Sequence, residues 1–84
     1  MGEGLRALVV DDEEVVRSVV VEVLEGMGFL ATPAESLTAG RQKLVVDRYD
    51  LLVIDKNLPD GSGLSMAHEV VERSLDAQVV IISG

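Results

Sequence analysis

The chain has 84 residues, 48% of them hydrophobic, with a formal net charge of −8 and no cysteine. That composition excludes an intrinsically disordered chain, a disulfide framework and thiolate chemistry. The acidic balance argues against direct nucleic-acid binding, which needs a Lys/Arg patch for the phosphates.

No apolar run approaches the roughly 18 residues of a spanning helix, so no membrane contact is expected. Gly2 suits N-myristoylation, but Arg6 stands where Ser or Thr is required. Only Phe29 and Tyr49 are aromatic, so the core is expected to be aliphatic.

In chain order, Leu5–Val10 reads as a short buried strand that runs into four acids, Asp11 to Glu14. The segment from Glu14 to Met27 is rich in β-branched residues, which favour strands. Its periodicity favours a helix instead. Val15, Val16, Val19, Val20, Val23, Leu24 and Met27 share one broad face, and Val21 is the apolar exception. Gly26 and Gly28 supply the stop. Phe29–Thr32 reads as a second strand closed by Pro33. Ser36 is placed to cap a helix over Leu37–Arg48, with Leu37, Leu44 and Val45 facing inward. Leu51–Ile54 is a continuous apolar run, typical of a strand buried on both faces. Asp60 to Gly63 reads as a loop. Leu64–Ser74 reads as a third helix, with Leu64, Ala67, Val70 and Val71 facing inward. Val79–Ile82 is a fourth buried strand.

Regular strand–helix alternation with short connections predicts an α/β fold, a doubly wound parallel sheet with helices on both faces. In the common strand order 2-1-3-4-5 of such sheets, the first, third and fourth strands are neighbours, and ligands collect at their carboxyl ends. Asp11 and Asp12 follow the first strand, Asp55 the third and Ser83 the fourth. Three carboxylates converging on one place repel one another. A hard divalent cation relieves that repulsion, and oxygen ligands suit magnesium better than zinc. One carboxylate could then serve as a nucleophile toward phosphorus, and Ser83 could donate a hydrogen bond to a phosphoryl oxygen.

These pieces resemble the receiver domain of bacterial two-component response regulators. The resemblance rests on "DDEEVVR", on "DKNLPDGSG" and on "VVIISG", in that order, and covers the chain from Leu5 onward. It implies a flavodoxin-like fold and one receiver-like domain over residues 1–84. It implies that Asp55 accepts a phosphoryl group from a histidine kinase or phosphotransfer protein in two-component signal transduction. It also implies that Asp12 binds Mg2+ directly and Asp11 mainly through water, that Asn57 lends its backbone carbonyl, and that Ser83 is the switch hydroxyl. Such a domain is cytoplasmic and no enzyme beyond its own phosphorylation and dephosphorylation.

The chain departs from the family pattern in one respect. The conserved lysine after a fifth strand, that strand and the last helices have no counterpart, so a C-terminally truncated domain is expected. Lys43 and Lys56 lie in the wrong places to substitute. The alternative reading is therefore a phosphorylation-silent interaction module. It would act as a homodimer through the exposed edge of the fourth strand or the valine face of the first helix. A calcium loop fails on spacing, because Asp60 and Met66 stand where Gly and Glu are needed. A small phosphatase of the haloacid-dehalogenase kind would want Asp at Asn57. His68, the single histidine, is expected at the surface, and Met27 and Met66 are expected in packing roles.

Overall fold

A computed structural model describes residues 4–73 and 76–83. In chain order it contains β1 (Leu5–Val10), α1 (Glu14–Gly26), β2 (Phe29–Ala34), α2 (Leu37–Val46) and β3 (Leu51–Asp55). A small hairpin of β4 (Asn57–Leu58) and β5 (Gly61–Ser62) follows, then α3 (Gly63–Glu72) and β6 (Gln78–Ile82). The four long strands form one parallel sheet in the order β2-β1-β3-β6. This is the expected doubly wound order, with β6 in the place of the fourth strand.

Alternation along the strands sorts two aliphatic cores, one on each side of the sheet. On one side Leu8, Val10, Leu52 and Ile54 pack with Leu37 of α2 and with Met66 and Val70 of α3. On the other, Ala7, Val9 and Val53 pack with Leu24 of α1. Leu8, Leu52, Ile54 and Met66 are fully buried, and each such side chain contributes about 1.5–3 kcal/mol through burial.

Several helix faces differ from expectation. On α1, Val20, Val21 and Leu24 meet the sheet, while Val15, Val19, Val23 and Met27 stay largely exposed. The apolar arc is wider than the contact it makes, so Val21 turns inward and one flank of the arc is left over. Met27 is thus no packing residue. On α2, Val45 is 76% exposed, since the helix buries its side through Leu37 and Gly40 instead. On α3, Leu64 and Val71 are exposed and Gly63, Met66 and Val70 are buried, a rotation of the expected face.

Strand β2 runs through Pro33 to Ala34, in register with Val9 and Val10 of β1. Among the described residues only one flank of β2 is paired, so a residue without an N–H fits there. The expected loop at residues 60–63 contains β5, paired antiparallel with β4. Helix α2 ends two residues early, at Val46, and α3 ends at Glu72; the expected end at Ser74 lies outside the described residues. His68 is exposed, with Nε2 3.1 Å from Glu72.

Candidate functional site

Parallel strands align their carboxyl ends at one edge of the sheet, and the acids follow from that. Val10 pairs with Ile54, so the residues next along both strands, Asp11 and Asp55, emerge side by side. Asp55 in turn pairs with Ile82 of β6, which sets Ser83 beside it. Carboxylate oxygens of Asp11, Asp12 and Asp55 lie within 4.8 Å of one another. A cavity of about 390 Å³ takes in these three acids with Glu13, Asn57 and Ser83. Every residue singled out at the strand ends therefore borders one space.

Asp11 is the buried member, with 2% of its surface exposed. Its Oδ1 accepts the Glu13 N–H at 2.8 Å, and its carbonyl accepts Nη1–H of Arg17 at 2.8 Å. Its own N–H donates to the Ala34 carbonyl at 3.0 Å. The acid is thus held by β2, by the start of α1 and by a guanidinium one turn further on. Burial raises its pKa, the Glu13 amide opposes that, and the charges of Asp55 and Asp12 push it up further. A bound cation would reverse this last effect. The donor set is all oxygen and clustered, which fits a hard divalent ion.

Asp55 is half-buried at the end of β3, and its Oδ1 accepts the Asn57 N–H at 3.3 Å. Gly63 closes the loop behind it. The Gly63 N–H donates to the Lys56 carbonyl at 2.8 Å, and a Cβ at this position would overlap the Asp55 carbonyl oxygen. Only glycine allows this backbone approach.

Two contributors escaped the sequence reading. Arg17 figured there only as part of a motif, with no bond assigned. Asp60 figured only as a loop residue, yet it makes long-range bonds to α2. Its signal in the sequence is slight, one acid before a glycine. A larger cavity, about 850 Å³, lies at the opposite end of the sheet beside Arg6, Asp47, Tyr49 and Asp50. Arg6 there lies 3.4 Å from Asp47 and its N–H donates to Asp50 at 2.8 Å, while Arg48 and Asp76 also line the cavity.

Comparison with known proteins agrees with the fold. The family model described as "Response regulator receiver domain" matches residues 7–84. The photosynthetic apparatus regulatory protein RegA of Rhodovulum sulfidophilum is 31% identical over 84 residues, 100% of this chain and 46% of its own length. The chain spans less than half the length of the curated relatives it matches. A CheY-like receiver domain from Methylobacillus flagellatus superposes with a TM-score of 0.88 at 32% identity, over 98% of this chain and 71% of that one. The response regulator TrrA of Thermotoga maritima, solved with Mg2+ and BeF, gives a TM-score of 0.87 at 33% identity, over 94% and 69%. TrrA solved with the histidine kinase ThkA gives 0.85 at 32%, over 95% and 69%.

Proposed function

Since the chain belongs to the response regulator receiver domains, we propose that it is a phosphoryl-accepting switch in which Asp55 is the acceptor. The observation that carries this reading is the meeting of Asp11, Asp12 and Asp55 within 4.8 Å at the carboxyl edge of the sheet. The donor is a phosphohistidine on a histidine kinase or phosphotransfer protein. That partner class is supported by the similarity to TrrA, which has been solved with its kinase.

A carboxylate oxygen of Asp55 attacks phosphorus. The P–O bond forms as the P–N bond breaks, and the imidazole leaves with the electron pair and takes up a proton. Asp12, Asp11, Asp55 and the Asn57 carbonyl would hold Mg2+, which neutralises charge on the transferring group. Asp11, tied to Glu13, Arg17 and Ala34, keeps its carboxylate in place before any ion arrives. The Asn57 N–H steadies one Asp55 oxygen. Ser83, in the same cavity, donates its hydroxyl to a phosphoryl oxygen and so reports the acylphosphate to β6. The protein turns over no external substrate in this reading. Among the described residues no helix is long and apolar enough to cross a membrane, and the proposed place of action is the cytoplasm.

The reading is tested with beryllofluoride and Mg2+, which mimic the phosphorylated acid. Binding by the wild-type chain and none by Asp55→Asn supports it. Equal binding by both removes Asp55 from the role.

One observation favours a second reading, a silent homodimerising module. The stripe of Val15, Val19, Val23 and Met27 on α1 is exposed, as is Val80 on β6. Sedimentation with and without beryllofluoride separates the two: a dimer that forms regardless of ligand, in a chain that binds none, would favour the module.

A further inference from the structure

The hairpin that follows the acceptor reaches away from the site. At its tip Asp60 turns its carboxylate to the first turn of α2. Oδ1 accepts the Leu37 N–H at 2.9 Å. Oδ2 accepts the Thr38 N–H at 2.9 Å and the Thr38 hydroxyl at 2.8 Å. The first amides of a helix have no intrahelical partner, and their partial positive charge suits an anion. Such charge-assisted bonds hold the Asp60 carboxyl down at about 2.

Helix α2 already has a cap of its own. Ser36 Oγ accepts the Ala39 N–H at 3.1 Å. A local cap of this kind satisfies a helix start at small entropic cost. A cap sent from 22 residues away requires the ordering of a whole loop, so what Asp60 adds is a link between helix and loop. That loop carries Asn57, whose N–H meets Asp55 at 3.3 Å. It is fixed at its base by Gly63 and midway by buried Leu58, while Lys56, Pro59, Gly61 and Ser62 are exposed. At the tip Gly61 adopts φ +147°, and a Cβ there would come within 2.8 Å of Leu37. The backbone is shaped to lie against the same helix start that Asp60 grips.

We infer that Asp60 is a positioning residue of the acceptor site: by pinning the hairpin to the start of α2, it fixes Asn57 relative to Asp55. This rests on the acceptor reading above and concerns how the cation-binding backbone is held.

The test compares Asp60→Ala with Ser36→Ala by calorimetric Mg2+ titration of the folded chain. Both variants remove a cap from α2, but only the first frees the loop. The expected result is a loss of Mg2+ affinity of about tenfold for Asp60→Ala, the scale seen when residues supporting a metal ligand are removed. Ser36→Ala should bind as wild type does. Unchanged affinity in Asp60→Ala, or equal losses in both variants, overturns the inference. Should Asp60→Ala fail to fold, Thr38→Val removes one of the three bonds and takes its place; wild-type affinity there overturns the inference. Amide hydrogen exchange gives a reading without metal. Exchange across residues 56–63 should accelerate in the loop-freed variant and stay unchanged in Ser36→Ala, and failure of that contrast contradicts the clamp. A wild-type chain that binds no Mg2+ but shows the exchange contrast sinks the acceptor reading and leaves the clamp standing.

Discussion

Asp11 and Asp55 stand at the carboxyl ends of adjacent parallel strands, with a carboxylate oxygen of each within 4.8 Å of the other. Asp11 is buried there, and burial and the Asp55 charge both raise its pKa. For an acid whose pKa is raised on folding, stability is fully present below the unfolded value, near 3.8, and falls as pH rises through the folded one. Above its folded value the charged Asp11 is thus a destabilising feature of the metal-free chain.

Asp11→Asn should therefore raise the melting temperature of the metal-free chain by a few degrees at pH 7. The same variant should lose most of the stabilisation that Mg2+ gives the wild type. Thermal melts with and without Mg2+ check both halves. A lower metal-free melting temperature would contradict the electrostatic account.

Asp60 has the opposite sign. Its carboxyl sits at about 2 because the Thr38 and Leu37 amides and the Thr38 hydroxyl favour the charged form. For a lowered acid, stability is present above the unfolded value and is lost as pH falls through the folded one. Urea unfolding of the wild type should weaken between about pH 4 and pH 2. Asp60→Asn should flatten that dependence; an unchanged slope would mean the cap does not form in solution.

Gly63→Ala is expected to cost about 1–3 kcal/mol, because the added methyl meets a backbone carbonyl that cannot swing aside. It should also displace Asp55 and weaken Mg2+ binding. Urea unfolding measures the first effect and calorimetry the second. A neutral substitution would show that the backbone approach at Gly63 is not needed.

The two flanks of α1 make a sharper contrast. Val19 is 53% exposed and Leu24 only 7%. Val19→Ala should change monomer stability by less than about 0.5 kcal/mol, whereas Leu24→Ala should cost about 2–5 kcal/mol. Comparable losses at both sites would mean that the exposed stripe is covered in solution.

Much of this was legible in the sequence, and the reasons differ by element. Leu51–Ile54 reads as a buried strand because nothing polar interrupts it, and the acid that ends it marks the sheet edge. Strand order then brings Asp11, Asp12, Asp55 and Ser83 to one cavity without knowledge of any side-chain contact. What was not legible was rotation about helix axes. The apolar arc of α1 spans more than the sheet can cover, so sequence alone does not say that Val21 turns in and Val23 out. The same ambiguity placed Leu64 and Val71 of α3 inward beside Val70, although of these only Val70 is buried, together with Met66. Pro33 looked like a stop because a proline usually ends a strand, although the expected order 2-1-3-4-5 already put β2 at an edge, where a residue without an N–H is tolerated. Asp60 was missed as a cap because its partners, Leu37 and Thr38, precede it by more than twenty residues, and no local spacing announces such a bond.

The central claim is tested most directly by beryllofluoride titration with Mg2+, comparing wild type with Asp55→Asn. The account predicts one saturable site in the wild type and none in the variant, with both chains folded. Binding that survives the loss of the Asp55 carboxylate, or no binding by the wild type at any Mg2+ concentration, would contradict it.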